Sequence, residues 1–182
     1  MPRQRHDPTK NLVGFLVGDV AYAVRIEVVR EIVNPLEVVE LPRAPMSVKG
    51  VASFRGDVVP VIDLRVRFAL PPANSTRKNK WVVIDVSPRP KATPAHEPTP
   101  PPSAGRFVAL VVDSVTEVFG TSGEAIRPAP ALGGGDDLRG IEGVASYGGG
   151  LVFVLDVSAF SALADAVARE IPPSPRPPFG AP

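Results

Sequence analysis

The stretch GVASFRGDVVPVIDL, residues 50–64, returns in altered form as GVASYGGGLVFVLDV, residues 143–157. Each copy holds two β-branched runs around a glycine-centred turn, a pattern that predicts a β-hairpin. A weaker echo precedes each copy, since VREI at 29–32 matches VTEV at 115–118. Units of this size are too small to bury a core alone. The doubling therefore predicts an all-β fold in which two similar units pack together.

The sequence outside the repeat supplies further strands and one helix. Apolar runs of strand length lie at 11–26, 80–86 and 106–115. Pro60 cannot donate a ladder hydrogen bond, so we expect its strand at an edge, or the proline facing away from its neighbour. A helix is predicted from an N-cap at Ser158 to about residue 170. Its apolar stripe consists of Phe160, Leu163, Ala164, Val167 and Ile171.

Composition divides the chain into one domain and three segments without a core. We expect residues 1–10 to be a disordered arm and residues 11–171 to be the domain. Its halves would span roughly 11–80 and 81–157, and strands could exchange between them. Residues 87–104 carry seven prolines and predict a disordered insertion. Residues 172–182 predict a disordered, proline-rich tail.

The residue inventory argues against catalysis and metal binding. The chain has no cysteine and two histidines, His6 and His96, which lie in polar or proline-rich segments. Neither histidine can be held against a nucleophile or complete a metal cage. The repeated Asp63 and Asp156 could form a hydrolase pair, but strand-ending carboxylates that accept local backbone N–H groups explain them better. We therefore expect no enzymatic activity, no cofactor and no metal.

Charge and hydropathy limit the partners and the location. The net charge of +1 comes without a basic block, which does not favour a nucleic-acid partner. No apolar run is long enough to span a membrane, and the polar N-terminus lacks the apolar stretch of a secretion signal. We expect a cytoplasmic protein.

The two copies of the repeat differ at the turn itself, because Arg55 at the first turn is replaced by Gly148 at the second. Gly56 and Gly149 are expected to supply a backbone angle that residues with a Cβ resist. Arg55 is dispensable for the turn, and its charge and five N–H donors suit a carboxylate or carbonyl group of a partner. An ordinary solvated turn arginine remains the alternative.

The stretch PMSVKGVASFRGDVVPVIDLR, residues 45–65, resembles CheW-type chemotaxis coupling proteins, the CheW-like domain family. The likeness continues through AYAVRIEVVREI, WVVIDV, RFVALVVDSVTEVF and EAIRPAP, and covers about Val13 to Ala168. It implies two SH3-like, five-stranded β-barrels packed side by side, with one C-terminal helix. It also implies a non-enzymatic, cytoplasmic scaffold, since the chain lacks the phosphotransfer and ATP-binding segments of the related kinases.

The resemblance further implies partners and contact residues. The protein would join the regulatory domain of a CheA-type histidine kinase to the tip of a methyl-accepting chemoreceptor, and would reach the membrane only through that receptor. The receptor tip would lie in an apolar groove between the units, and each unit would pair with the opposite unit of the kinase domain. The implied contact residues are Arg55, Val29, Glu31, Ile32, Gly50 and Gly56.

Three alternatives stay open. Val29 and Ile32 could be plain core residues. A small-barrel domain that binds single-stranded nucleic acid is the alternative function. The insertion at 87–104 replaces a short turn of the family and is either a lineage-specific disordered segment or a second, proline-rich binding element.

Overall fold

The computed structural model describes residues 11–87, 106–121, 126–128 and 140–170. The expected arm, tail and most of the insertion lie outside these ranges, as do both histidines and Ile171. The strands are β1 (Asn11–Val17), β2 (Val20–Arg25), β3 (Val29–Val33), β4 (Val48–Phe54), β5 (Asp57–Asp63), β6 (Lys80–Asp85), β7 (Phe107–Val112), β8 (Ser114–Gly120), β9 (Arg127–Pro128), β10 (Ile141–Tyr147) and β11 (Gly150–Leu155). A 3₁₀ turn at Ile26–Val28 precedes β3, and the α-helices are α1 (Leu64–Arg67) and α2 (Ser158–Glu170).

The strands form two sheets of the same design. One sheet has the order β3-β6-β7-β5-β4, and the other has the order β8-β1-β2-β11-β10-β9. In each sheet the repeated hairpin, β4–β5 or β10–β11, lies parallel to a second hairpin, β6–β7 or β1–β2. The predicted all-β class with two similar units and a C-terminal helix is confirmed, although one sheet has a sixth, two-residue strand.

The division between the sheets does not fall between residues 80 and 81. Strands β3 to β7 form one sheet, whereas β1 and β2 cross over to complete the sheet of β8 to β11. The N-terminal hairpin thus occupies in the second sheet the place that β6–β7 occupies in the first. Neither half at 11–80 and 81–157 forms a sheet alone. The first sheet needs β6 and β7 beside β5, and the second needs β1 and β2 beside β11.

Apolar side chains fill three clusters. The largest lies between the sheets and combines Phe15 of β1, Leu110 of β7 and Phe160 of α2. Two smaller clusters lie within the sheets, one around Trp81 and one around Phe119. Neither unit has a large core of its own, so most apolar burial depends on their contact.

Pro60 lies inside β5 opposite Val51 of β4. The N–H and C=O groups of Val51 both bond to Val39, on the side of β4 away from β5, at 2.9 and 2.8 Å. Val51 therefore needs no hydrogen bond from Pro60. Pairing of β5 with β7 begins only at Val61. The second predicted alternative therefore holds: the proline faces away from the ladder bonds.

Both helices begin after a repeated aspartate. Asp63 accepts hydrogen bonds from the N–H groups of Arg65 at 2.9 Å and Val66 at 3.3 Å. Asp156 accepts one from Ser158 at 2.9 Å, so Ser158 opens α2 as predicted but the capping oxygen belongs to Asp156. In both cases a carboxylate oxygen one or two residues before the helix satisfies N–H groups that lack intrahelical partners. Helix α1 has no apolar stripe and was not predicted.

An ion pair ties the two sheets together where β7 leads into β8. The Asp113 carboxylate accepts from Arg65 Nε at 2.9 Å and Nη2 at 2.7 Å, and from the Gly18 N–H at 2.6 Å. Arg65 follows β5 of one sheet, and Gly18 forms the β1–β2 turn of the other. Burial raises the pKa of Asp113, but the hydrogen bonds from Arg65 and Gly18 outweigh it and hold this pKa below the usual value.

Candidate partner-binding site

Arg55 forms, with Gly56, the two-residue turn of the β4–β5 hairpin. Their φ angles are +52° and +89°, the combination that matches the twist of paired strands. The equivalent turn of the second sheet has +59° at Gly148 and +81° at Gly149. A positive φ costs a residue with a Cβ about 1 kcal/mol, so glycine would be easier at both turns. Retention of an arginine points to a use for its side chain.

The Arg55 side chain reaches across the open side of its sheet to Glu31. Nε donates to Glu31 Oε2 at 2.7 Å, and Nη2 lies 2.6 Å from the same oxygen. Glu31 is on β3 and the hairpin carrying Arg55 contains β4, which form opposite edges of the sheet. The sheet is therefore curved enough for a long side chain at one edge to reach a strand at the other edge. Because 64% of the Arg55 side chain stays exposed, its remaining N–H donors are available to a partner.

Aromatic rings support this corner. The Arg55 guanidinium lies 5.7 Å from the centroid of Phe54, and Phe54 meets Phe107 edge-on at 6.4 Å. A second guanidinium, that of Arg30, lies 5.9 Å from the centroid of Phe107. Arg30 is the extra residue at a register shift between β3 and β6, and such bulges redirect side chains. Two arginines thus flank Glu31 on rigid apolar supports.

The other implied contact residues fall into different environments. Val29 packs against the central cluster, whereas Ile32 keeps 40% of its surface exposed. Gly50 is buried, with φ +143°, and a Cβ there would overlap the Val39 carbonyl group. A Cβ on Gly56 would meet nothing within 4 Å. Glu31 and Arg55 therefore form an exposed corner, Ile32 is exposed on the opposite face of β3, and Val29 and Gly50 belong to the packed structure.

An apolar groove on the same hairpin was missed by the sequence analysis. It has a volume of about 400 Å³ and is lined by Leu36, Val39 and Val58 among others. Val39 and Val58 are 62% and 53% exposed. The segment before β4 carries no strand or helix pattern, so no periodicity indicated that its apolar side chains would stay outside. The sequence offered only the equivalence of Val58 with Leu151 in the second copy. Both side chains are exposed in the structure, Leu151 by 62%.

The described residues contain no cluster of three or more side chains suited to a metal ion. The two repeated aspartates are engaged by the backbone at the start of α1 and α2, as their position at strand ends predicted. Within the described ranges, neither helix combines the length and apolarity that a membrane crossing needs.

Comparison with known proteins agrees with this architecture. The CheW-like domain family matches residues 11–164. The "Probable chemotaxis protein CheW" of Rhizobium etli is 26% identical over 150 residues, covering 82% of this chain and 86% of that protein. The "Chemotaxis protein CheW" of Klebsiella aerogenes is 29% identical over 160 residues, covering 85% of this chain and 86% of its own.

A solved structure shows the same fold. The crystal structure of the scaffolding protein TtCheW from Thermoanaerobacter tengcongensis superposes with a TM-score of 0.65 and 22% identity, covering 81% of this chain and 88% of that one. The family match spans both sheets and most of α2. This chain therefore belongs to the CheW-like domain family.

Proposed function

We propose that this protein is a non-enzymatic, cytoplasmic scaffold that couples chemoreceptor tips to the regulatory domain of a CheA-type histidine kinase. Membership of the CheW-like family, relatives named as chemotaxis proteins and a structural neighbour named as a scaffolding protein support the proposal. Membrane association would come only through the receptor, and nucleic acid would not be a partner.

The observation that carries the proposal is the Glu31–Arg55 corner. Arg55 occupies a backbone conformation that glycine adopts more easily, and it is oriented by a carboxylate and an aromatic ring. Such an arginine is preorganised, so a partner need not pay to order it. Ile32, one residue further along β3, is an exposed apolar side chain, and a helix-in-groove partner needs such apolar anchors with polar flanks.

Binding of a purified receptor-tip hairpin and of a kinase regulatory domain tests the proposal. Arg55→Glu should weaken binding of at least one partner about tenfold or more, because it reverses a desolvated charge. Arg77→Glu, at an exposed arginine before β6, is the matched control and should change binding less than about threefold. Circular dichroism and thermal melting confirm that both variants fold. The proposal fails if the parent protein binds neither partner, and the site fails if Arg55→Glu binds like the parent.

A further inference from the structure

The two hairpin ends of the molecule are built on equivalent strands and turns but differ in charge. Glu117 on β8 corresponds to Glu31 on β3, and Tyr147 before the second turn corresponds to Phe54. The counterpart of Arg55 is Gly148. Glu31 is neutralised by its own chain, whereas Glu117 forms no ion pair within the part of the chain that the structure describes. At the second end, therefore, the glutamate has no charged partner among the described residues.

The second end keeps the other parts of an arginine site. The Tyr147 ring stacks on Phe119 with centroids 4.0 Å apart, and the Tyr147 hydroxyl donates a hydrogen bond to Glu117. This bond raises the pKa of the Tyr147 phenol above its usual value. Beside the ring pair lies a pocket of about 190 Å³ whose apolar walls include Leu151 and Val152.

Space for an incoming side chain is open at the turn itself. A Cβ on either Gly148 or Gly149 would meet nothing within 4 Å, and Leu151 beside them is 62% exposed. In the first sheet the equivalent space is occupied by Arg55, whose guanidinium lies on the Phe54 ring and against the Glu31 carboxylate. The first sheet thus shows which group fits an aromatic face next to a carboxylate in this fold.

We propose that the β10–β11 end binds an arginine side chain supplied by a separate protein. A guanidinium group would stack on Tyr147 and pair with Glu117, as Arg55 does with the equivalent residues of the first sheet. Lysine fits less well, since its compact, strongly hydrated charge neither stacks nor matches a carboxylate in two places. The proposal rests on the proposed function only in taking the partner to be a protein of the signalling assembly.

Supplying the arginine within the chain tests the idea. The φ of Gly148, +59°, is close to the +52° at which the fold already holds Arg55, so Gly148→Arg requires no new backbone conformation. Its side chain should occupy the site and exclude a partner. Gly148→Gln carries the same backbone cost and similar bulk without charge, and it is the matched control. Glu117→Gln tests the same pair by removing the carboxylate that the incoming arginine would bind.

The first probe is the kinase regulatory domain, with affinity measured by calorimetry at two salt concentrations. Gly148→Arg and Glu117→Gln should each weaken binding about tenfold and reduce its salt dependence, and Gly148→Gln should weaken it less than about threefold. If Glu117→Gln binds like the parent, or if both Gly148 variants weaken binding equally, the inference is wrong while the proposed function stands.

The second probe is N-acetyl-arginine amide, which decides the inference even if the kinase domain does not bind the parent and the proposed function fails. Saturable NMR shifts at Tyr147 and Gly148, lost in Glu117→Gln and absent with the citrulline analogue, are expected; their absence overturns the inference. Arg176→Gln in the full chain should leave these signals unchanged. A change would mean that an arginine of the same chain occupies the site. A concentration-dependent dimer abolished by Gly148→Arg would assign it to a second copy, and either result overturns the proposal.

Discussion

Removal of the Asp113 carboxylate is expected to destabilise the whole domain, because this group joins the two sheets. In Asp113→Asn, the amide oxygen can still accept from the Gly18 N–H and from Arg65 Nη2, but the amide NH2 group would face the Arg65 Nε–H donor. Side-chain exposure is only 22% for Arg65 and 26% for Asp113, so solvent screens the loss weakly.

The size of the effect follows from the contacts that change. Breaking a fully buried ion pair costs about 3–5 kcal/mol, and this pair is one-quarter exposed. Arg65 also keeps a hydrogen bond to the Pro71 carbonyl at 2.7 Å and lies in the field of Asp63 and Asp19. We therefore expect a loss of about 2 kcal/mol in the free energy of unfolding. For a chain of this length this corresponds to a fall in Tm of roughly 4–8 °C.

Urea unfolding followed by Trp81 fluorescence measures the loss, since this is the only tryptophan and is 3% exposed. A double-mutant cycle with Arg65→Gln should give a coupling energy of about 1–2 kcal/mol. A coupling energy below about 0.5 kcal/mol would refute the reasoning, because the two side chains would then contribute independently.

The same ion pair predicts a pH dependence. The pKa of Asp113 is lower in the folded than in the unfolded protein, so the unfolded state binds the proton more tightly. Its stabilisation is therefore fully present above the unfolded pKa of about 3.9 and is lost as the pH falls through the folded value. The difference in stability between the parent protein and Asp113→Asn should be constant near neutral pH and shrink below about pH 4. A difference that does not change with acidification would contradict this assignment.

Four further substitutions have expected outcomes. Gly50→Ala should lower the free energy of unfolding by about 3 kcal/mol or prevent folding, because its Cβ would overlap the backbone. Gly56→Ala should lower it by about 1 kcal/mol, for the positive φ alone. Urea titrations compare the two variants. Glu31→Gln should change stability by less than about 1 kcal/mol, because Arg55 is largely exposed, yet should weaken partner binding; unchanged binding in calorimetry would argue against the corner as a site. Asp156→Ala should cost about 1 kcal/mol through its lost bond to the first turn of α2, visible as faster amide exchange there but not in α1.

Sequence patterns predicted the local elements well. The repeated runs became β4–β5 and β10–β11, and the apolar stripe became α2 with Phe160, Ala164 and Val167 buried. These features depend on short-range preferences, namely alternation, turn glycines and helical spacing. Local pattern therefore sufficed wherever neighbours in sequence are neighbours in space.

The arrangement of the sheets was not accessible in the same way. Nothing in the run at 11–26 shows that β2 pairs with β11, because that pairing joins Tyr22 to Phe153 across most of the chain. The hydrogen bond from the Gly18 N–H to Asp113 depends on the same crossover, because the β1–β2 turn must first lie beside the sheet of β5 and β7. Sequence reasoning missed it for this reason.

The site was predicted as separate residues but not as an arrangement. The resemblance implied Glu31 and Arg55 individually, and only the curl of the sheet places them in contact. It gave no indication of Arg30, whose position depends on a bulge that no turn residue signals. A register shift of this kind follows from how two strands fit, so it becomes visible only in the structure.

The duplication gives the molecule two ends of similar shape and different charge. In both sheets an edge strand brings a glutamate to the tip of the repeated hairpin, next to an aromatic ring. A scaffold with two identical ends would bind one kind of partner twice. Because the first end contains its arginine and the second does not, we expect each end to prefer a different surface, so that discrimination would arise from a few substitutions on a shared framework. That asymmetry would allow one chain to bind two different partners with a fixed polarity.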